Sequence, residues 1–448
     1  MPGLSESQGK IVRSIVQTVP DAGLGQLTSV LSAQMGEHTM ADVRDIVMME
    51  MKDRKVRAIV FSPILSLCTK NQPGKSKSRF PFALPTLLWN ALTDRAPKLM
   101  VQARDMAARW ENEDLLPYIF NQACDEAIDG LQDNDPAFAP VVECLNKASP
   151  TGVRDLIGYL KMSALLRDAL LELPLWVSRM NADDALSVRL AYRDAANIAS
   201  DGPARLFEVI YTNLESPWTI LRIISAALDR PTDQFVANMD LGFFGELLLD
   251  QVEKLVETIA EVNLDEGATA GNVIATAVKT VISITTDFED NLVLGKNGPW
   301  GRRIARSKRD LTNACEALLK QVEALLPRAL PIAAAAKNSR ALNRSPNVDV
   351  APEALAAARL EAILVFMAAV RSIASVSGIG VLRARVLTDT QEFLEYYGKG
   401  AVGLLTDFNV SSDAVRERIH AVAKYVALVH DEATAEQLRR RAIPVGRR

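Results

Sequence analysis

The sequence predicts an all-α protein, a multi-helix bundle or an irregular α-solenoid-like array of antiparallel helices with no substantial sheet. Three successive apolar stripes between positions 241 and 330 repeat at the spacing of one helix face. Elsewhere, short apolar runs of helical spacing are separated by proline and glycine, and no run finds a partner with strand periodicity. With 48% hydrophobic residues, the chain has ample apolar material for a large core.

The three stripes step mostly by four and three residues, as residues on one face of a helix do. Each covers fewer than about four heptads, which favours an antiparallel bundle over a long coiled coil. The β-branched run from Thr280 to Thr286 lowers helix propensity in the second stripe, and Pro327 and Pro331 close the third. The stripes consist of Leu241, Leu248, Val252, Leu255, Ile259 and Val262; of Ile274, Ala277, Val281, Ile284 and Phe288; and of Leu311, Cys315, Leu318, Val322, Leu325 and Ala329.

Proline and glycine positions divide the rest of the chain. Residues 56–67 are expected to form a proline-interrupted helix, and the helical run that follows Ser149 should break at Pro174. The polar stretch at 337–351 is expected to be a linker. These signals predict an N-terminal helical region (1–148), a central bundle (149–336), the linker (337–351) and a C-terminal helical region (352–448).

Charge is nearly balanced overall but unevenly distributed. The chain has 51 basic and 55 acidic residues, a net charge of -4 that argues against a general nucleic-acid binder. A basic loop is expected at 70–79, and a basic tail begins at Arg439. The segment 111–146 has nine acidic residues and no lysine or arginine. It could be the solvated side of buried helices or a docking face for a basic partner, including a second copy of this chain.

No motif indicates catalysis, a metal site or a cofactor. The four cysteines show no ligand spacing and are expected to be small buried hydrophobes, while the three histidines are His38, His420 and His430. The N-terminus lacks the pattern of a secretory signal, which together with unpaired cysteines predicts a cytoplasmic protein. The most apolar helix has an uncharged core only at 362–370, too short to span a membrane.

The most distinctive motif is the basic sequence at 295–309, GKNGPWGRRIARSKR. A helix that begins near Pro299 would place Arg302, Arg306 and Arg309 on one face. Cations in a first helical turn oppose the helix dipole, whereas the free N–H groups there favour an anion, so phosphate or clustered carboxylates would suit the site. The candidate anion- or partner-binding residues are Trp300, Arg302, Arg303, Arg306, Lys308 and Arg309.

The alternative for this motif is pairing inside the molecule. Its partners would be the acidic segment 111–146 or the carboxylates of Asp287, Glu289 and Asp290. The motif is no P-loop, because the GxxxxGK[ST] arrangement is missing.

These features favour a cytoplasmic scaffold or adaptor that acts through protein–protein contacts, with another protein or with itself. The first alternative is a protein that binds nucleic acid or another polyanion through the cluster Arg302 to Arg309. The acidic balance and sparse aromatic residues disfavour it. The second alternative is an enzyme with an unrecognised helical active site, since active sites assemble residues distant in sequence.

Overall fold

The computed structural model describes residues 4–33, 38–68, 79–109, 116–178, 180–333, 346–406 and 410–442. These residues form α-helices, short 3-10 helices and two isolated β-bridges, with no strand among them, so the predicted all-α class is confirmed. The chain divides into two compact units, unit 1 (Met1–Asp229) and unit 2 (Arg230–Arg448). Asp229 and Arg230 both have left-handed backbone conformations, with φ of 56° and 57°, which mark a turn at the division.

Unit 1 is built from helices that pack largely against their neighbours in sequence. Its 3-10 helices are Ser66–Cys68, Pro136–Phe138 and Pro217–Thr219. Its α-helices are α1 (Glu6–Thr18), α2 (Asp21–Ala33), α3 (His38–Val60), α4 (Ser62–Leu65), α5 (Leu84–Arg95), α6 (Pro97–Arg109), α7 (Leu116–Gln132), α8 (Ala139–Ala148), α9 (Gly152–Lys161), α10 (Ser163–Val177), α11 (Ala182–Ile198), α12 (Gly202–Asn213) and α13 (Ile220–Leu228).

Local sequence features set helix boundaries in unit 1. Asn181 and Asp184 form a capping box at α11, in which each side chain accepts a hydrogen bond from the other residue's backbone N–H. The stretch 56–67 is a proline-interrupted helix, as predicted: α3 ends at Val60, and α4 restarts with Pro63 in its first turn.

Part of the acidic segment pairs within unit 1. The Arg95 guanidinium donates to the carboxylates of Glu126, Asp133 and Asp135, so this part of the segment has a cation of its own. At the end of the basic loop, Arg79 forms ion pairs with carboxylates of α9 and α12. The rest of that loop (70–78) and the start of the acidic segment (111–115) lie outside the described residues.

Unit 2 contains the three predicted stripes. The first is α15, the second is α16, and the third continues over α17 and α18, which confirms the helical interpretation. The helices are α14 (Asp233–Ala237), α15 (Gly242–Glu261), α16 (Ala268–Asn291), α17 (Pro299–Lys320), α18 (Val322–Ala329), α19 (Ala354–Ala369), α20 (Gly380–Leu404), α21 (Ser412–Val429) and α22 (Glu432–Arg441), with a 3-10 helix at Leu264–Glu266.

Helix α16 lies at the centre of unit 2, between α15 and α19. Burial of Ile274, Val278, Val281 and Ile284 outweighs the low helix propensity of its β-branched run. Length and composition alone would let α16 cross a membrane, and 50% of its apolar window is buried inside unit 2. Core helices and spanning helices both meet that criterion, so the expectation of no membrane span stays a prediction.

Two proline predictions are wrong. Helix α10 continues past Pro174 to Val177, and α18 includes Pro327. Each proline lies in the last turn of its helix, where it removes only one hydrogen bond near the end. Burial of neighbouring side chains such as Trp176 and Ala329 holds these final turns in place.

The compact units differ from the regions expected from the sequence. Helices α8 and α9 flank the expected boundary near 148 and pack together in unit 1, and α18 and α19 flank the expected linker and pack together in unit 2. A polar stretch marks a loop, but the helices on either side can still bury each other. Arg439, Arg440 and Arg441, expected in a tail, belong to α22, whereas 443–448 lie outside the described residues.

Candidate functional site

The basic motif lies at the start of α17, on a loop that unit 2 holds in place. An isolated bridge joins Thr232 to Val293, with the Val293 N–H donating to the Pro231 carbonyl over 3.0 Å. Gly298 then caps α17, and Pro299 occupies its first position, as the sequence predicts. The fixed loop brings Asp233, at the start of α14, against the first turn of α17.

Asp233 fills the anion site at this helix start. Its side chain is 2% exposed. One carboxylate oxygen accepts from the N–H groups of Gln234 (2.9 Å) and Gly295 (3.2 Å), and the other accepts from Gly301 (3.3 Å). A Cβ atom at Gly298 would lie 2.1 Å from this carboxylate, so only glycine fits. The protein therefore supplies its own carboxylate to the Gly301 N–H of this helix start, and binding of an external anion there stays a prediction.

Trp300 belongs to the core and not to an exposed binding surface. The side chain is 0% exposed, and its indole N–H donates to Glu246 over 2.6 Å. The ring meets Phe288 edge to face at 5.5 Å between centroids. A Cβ at Gly245 would lie 2.3 Å from the indole, so α15 and α17 approach closely at this point. Trp300 therefore cannot contact an external partner in this conformation.

Arg303 joins α17 to α15. Its guanidinium donates to Glu246 (2.6 Å), Asp250 (2.7 Å) and both oxygens of Glu253 (2.8 and 2.9 Å). These contacts, led by the hydrogen bond to Glu253, raise the pKa of Arg303 above its ordinary value. Intramolecular pairing thus occurs, but Arg303 pairs with carboxylates of α15 and not with the acids expected from the sequence.

Lys308 also pairs within unit 2. Its ammonium group lies 2.6 Å from both carboxylate oxygens of Glu289, one of the acids proposed as an internal partner. The Lys308 side chain is 35% exposed and points towards α16. Lys308 and Arg303 therefore flank the buried stripe of α17 on its two sides.

Three arginines of the motif remain on the outside of α17. Arg302, Arg306 and Arg309, here called the outward arginines, are exposed and lie on the side of the helix opposite its buried residues. Arg306 is 80% exposed, with its Nε 3.6 Å from Asp310. The described parts of the chain place no ion pair on Arg302 or Arg309. The five candidate cations from Arg302 to Arg309 thus divide into two structural ones, Arg303 and Lys308, and the three outward arginines.

The outward arginines lie beside an acidic stripe on α15. This stripe consists of Glu246, Asp250, Glu253 and Glu257, spaced so that all four share one side of the helix. Asp250 is 71% exposed, and Glu257 is also exposed. Because Arg303 bridges the two helices at the surface, the acidic stripe and the outward arginines form one continuous surface, here called the α15/α17 face. The spacing of the four acids could be read from the sequence, but their position beside α17 could not.

An exposed aromatic residue lies at one end of this face. Phe243, in the first turn of α15, is 61% exposed, and its ring meets Phe244 edge to face at 5.8 Å. Three residues further along α15, Glu246 accepts the Trp300 hydrogen bond at the start of α17. Further along both helices, Glu253 contacts Arg303, so α15 and α17 begin at the same end of unit 2 and run in the same direction. Phe243 lies about 4.5 Å before Glu246 along the axis, at the end of the face where α17 begins.

A buried polar cluster in unit 1 has a structural role. Arg205 donates to the Asp201 carboxylate over 2.7 Å and to the Asp155 carbonyl over 2.9 Å, and its guanidinium lies 4.9 Å from the Tyr159 ring centroid. The Tyr159 hydroxyl donates to Glu208. Burial, with a contribution from the Glu208 charge, raises the pKa of Tyr159. These contacts tie α9 to α12.

The described residues contain no group of three or more histidine, cysteine, aspartate or glutamate side chains that could hold a metal ion. A cavity of about 610 Å³ opens in unit 1 between the end of α10 and residues 213–219. Asn213 lines this cavity, and its side-chain amide already donates hydrogen bonds to Ser66 and to the Val209 carbonyl. Neither observation indicates a reaction.

Comparison with known proteins does not assign this chain to a family. No protein-family model, curated protein or solved structure matches this chain.

Proposed function

We propose that this protein is a helical scaffold or adaptor that acts through protein–protein contacts. The α15/α17 face supports the proposal, because it presents exposed positive and negative charges side by side with an exposed phenylalanine. Complementary charges select partners and orient them, while an exposed aromatic side chain supplies apolar contact area. Buried, unpaired Cys68, Cys124 and Cys315 agree with a reducing compartment such as the cytoplasm.

The charge pattern favours a protein partner over a polyanion. A phosphate backbone attracted by the outward arginines would also meet the acidic stripe, in which Arg303 pairs with three of the four carboxylates. Repulsion from those carboxylates opposes any long, uniformly negative ligand. A protein surface can carry both signs of charge in the matching arrangement.

The proposal can be tested by affinity capture from extracts of the native cells. The test variant is Arg302→Glu with Arg306→Glu and Arg309→Glu, which leaves the structural contacts of Arg303 and Lys308 intact. We expect wild type to retain a defined set of proteins at low salt and the test variant to lose them. An unchanged set of captured proteins would contradict a role for this face.

A matched control changes the same net charge elsewhere in unit 2. Arg385→Glu, Lys399→Glu and Arg440→Glu replace cations that are 79%, 68% and 74% exposed, each within reach of an acid four residues away. Arg385 resembles Arg306 closely, with its Nε 3.8 Å from an aspartate at the same spacing. We expect the control variant to retain the same proteins as wild type.

Polyanion binding is the second candidate, because the outward arginines lie on successive turns of one helix face. At 1.5 Å per residue, they are spaced about 6 Å and about 4.5 Å along the axis. Fluorescence anisotropy with labelled DNA and RNA between ~50 and ~200 mM salt tests this candidate, since phosphate-driven affinity falls steeply over that range. Binding that the triple glutamate variant abolishes would favour it over the protein-binding proposal.

A further inference from the structure

We infer that the α15/α17 face binds the same face of a second copy of this chain, forming a dimer with two-fold symmetry. This inference rests on the proposed function and names the partner. The face is self-complementary in charge, which a surface must be if it is to pair with itself across a two-fold axis.

The geometry follows from the seam between the helices. Helices α15 and α17 run side by side in the same direction, with Arg303 between them at the surface. A two-fold axis that runs along this seam, parallel to both helices, places α15 of each copy over α17 of the other. Each acidic stripe then faces the outward arginines of the second copy, and the contact forms twice.

The register matches along the helices. Arg303 contacts carboxylates from Glu246 to Glu253, so its Cα lies about level with Asp250 on α15. With 1.5 Å of rise per residue, Arg302 falls level with Asp250 of the second copy, and Arg309 falls close to Glu257. Charges of opposite sign therefore meet along about two turns of helix.

The charges also balance. The four acids of α15 exceed the two cations beside them, Lys254 of the same helix and Arg303 from α17, by two charges. Within the exposed side of α17, the outward arginines exceed Asp310 by two positive charges. In the dimer, the excess negative charge of α15 meets the excess positive charge of α17 of the second copy. In a single chain, neither excess is neutralised.

Phe243 supplies the apolar contact that surface charges alone lack. Exposed ion pairs contribute little affinity, and exposed aromatic residues commonly carry interface energy. By the same register, Phe243 lies seven residues before Asp250, about 10 Å along the axis, and so falls beside the loop that precedes α17 in the second copy. There its ring can pack against residues 295–297, which are exposed.

The experiment is charge-reversal complementation, followed by sedimentation velocity of the purified full-length chain. One variant reverses α17 (Arg302→Glu, Arg306→Glu and Arg309→Glu). The other reverses α15 with Asp250→Lys and Glu257→Lys, sparing the acid that holds Trp300. We expect wild type to dimerise, each variant alone to dimerise at least about tenfold more weakly, and an equal mixture of the two to recover the wild-type affinity.

Recovery in the mixture is the decisive result. A heterodimer of the two variants restores opposite charges at both contacts, whereas each homodimer sets like charges together. Variants that weaken dimerisation without recovery in the mixture would overturn the two-fold arrangement. Phe243→Ser should also weaken the dimer without lowering the melting temperature, and the Arg385, Lys399 and Arg440 control should leave it unchanged.

Two other outcomes overturn the inference. Wild type that stays monomeric at ~100 µM protein and ~50 mM salt would exclude self-association, and a dimer unaffected by either reversal would place the interface elsewhere. The capture experiment uses other proteins as its readout. If wild type is monomeric but captures proteins that the triple glutamate variant loses, the proposed function stands. A monomer that binds labelled DNA would instead favour the polyanion candidate.

Discussion

The carboxylate of Asp233 should hold the start of α17, and Asp233→Asn tests this with almost no change in shape. The buried carboxylate accepts three backbone hydrogen bonds, from Gln234, Gly295 and Gly301. Hydrogen bonds to a charged group contribute about 1.5 to 3 kcal/mol each, against about 0.5 to 1.5 kcal/mol for neutral pairs. Asparagine keeps one acceptor oxygen, which can serve two of the three donors.

The expected magnitude follows from these contacts. Two bonds weaken by about 1 kcal/mol each on loss of the charge, and the third donor is left facing an amide NH₂, at a cost of about 1 to 3 kcal/mol. The sum is a loss of about 3 to 5 kcal/mol in the free energy of unfolding of unit 2. Loss of the favourable helix-dipole interaction acts in the same direction.

Alkylation of Cys315 in increasing urea, followed by mass spectrometry of its peptide, measures this loss in the full chain. Cys315 is 0% exposed and is the sole cysteine of residues 230–448, so its labelling reports opening of unit 2. We expect the Cys315 midpoint to fall in Asp233→Asn, with the midpoints of Cys68 and Cys124 in unit 1 unchanged.

The exposed Asp240 provides the control, because Asp240→Asn changes the same charge on the surface of unit 2. That variant should unfold as wild type does. A change below about 1 kcal/mol in Asp233→Asn would refute the reasoning, since it would mean that the carboxylate contributes no more than one neutral hydrogen bond.

Three further predictions concern unit 2. Gly245→Ala should destabilise it by about 1 to 3 kcal/mol in urea titrations, because its Cβ would meet the Trp300 ring, whereas Gly403→Ala, with no atom within 4 Å of its Cβ, should not. Arg303→Gln should lower the melting temperature, and more so at low salt. Reversal of the outward arginines should change the melting temperature little. Equal effects in calorimetry would refute the division of the motif into structural cations and outward arginines. Burial raises the pKa of Tyr425 to about 12, which favours the neutral phenol in the folded chain. The stabilisation of the folded chain by this neutral phenol is therefore present below pH ~10 and lost between pH ~10 and ~12. Tyr425→Phe should flatten the alkaline fall in the free energy of unfolding, and an unchanged profile would contradict this.

The sequence could predict the helices because their cause is local. The stripes that became α15, α16 and α17 repeat every 3.6 residues, and such a pattern is stable only with its apolar side buried. The predicted helix break at Pro174 was wrong, because burial of side chains holds the end of α10 in place. That burial depends on tertiary packing, which local sequence patterns do not contain. The compact units divide the chain at a different place from the regions expected from the sequence, since packing across a polar loop depends on partners outside the loop.

The candidate site shows the same limit at the level of single residues. Spacing alone was enough to group Arg302, Arg306 and Arg309 on one face of a helix. Spacing did not distinguish them from Arg303, whose acidic partners lie 50 to 57 residues away in the sequence. The anion at the helix start was equally hidden, because Asp233 lies 62 and 68 residues before the glycines that it binds.

By itself, then, the sequence determined the helical class of this protein, the faces of its main helices and the position of its most basic cluster. Only the tertiary structure decided that Trp300, Arg303 and Lys308 serve the fold while the outward arginines remain available. The physical reason is that helical periodicity is set by the backbone over a few residues. The pairing of charges depends instead on which helices are packed together, a property of the whole unit.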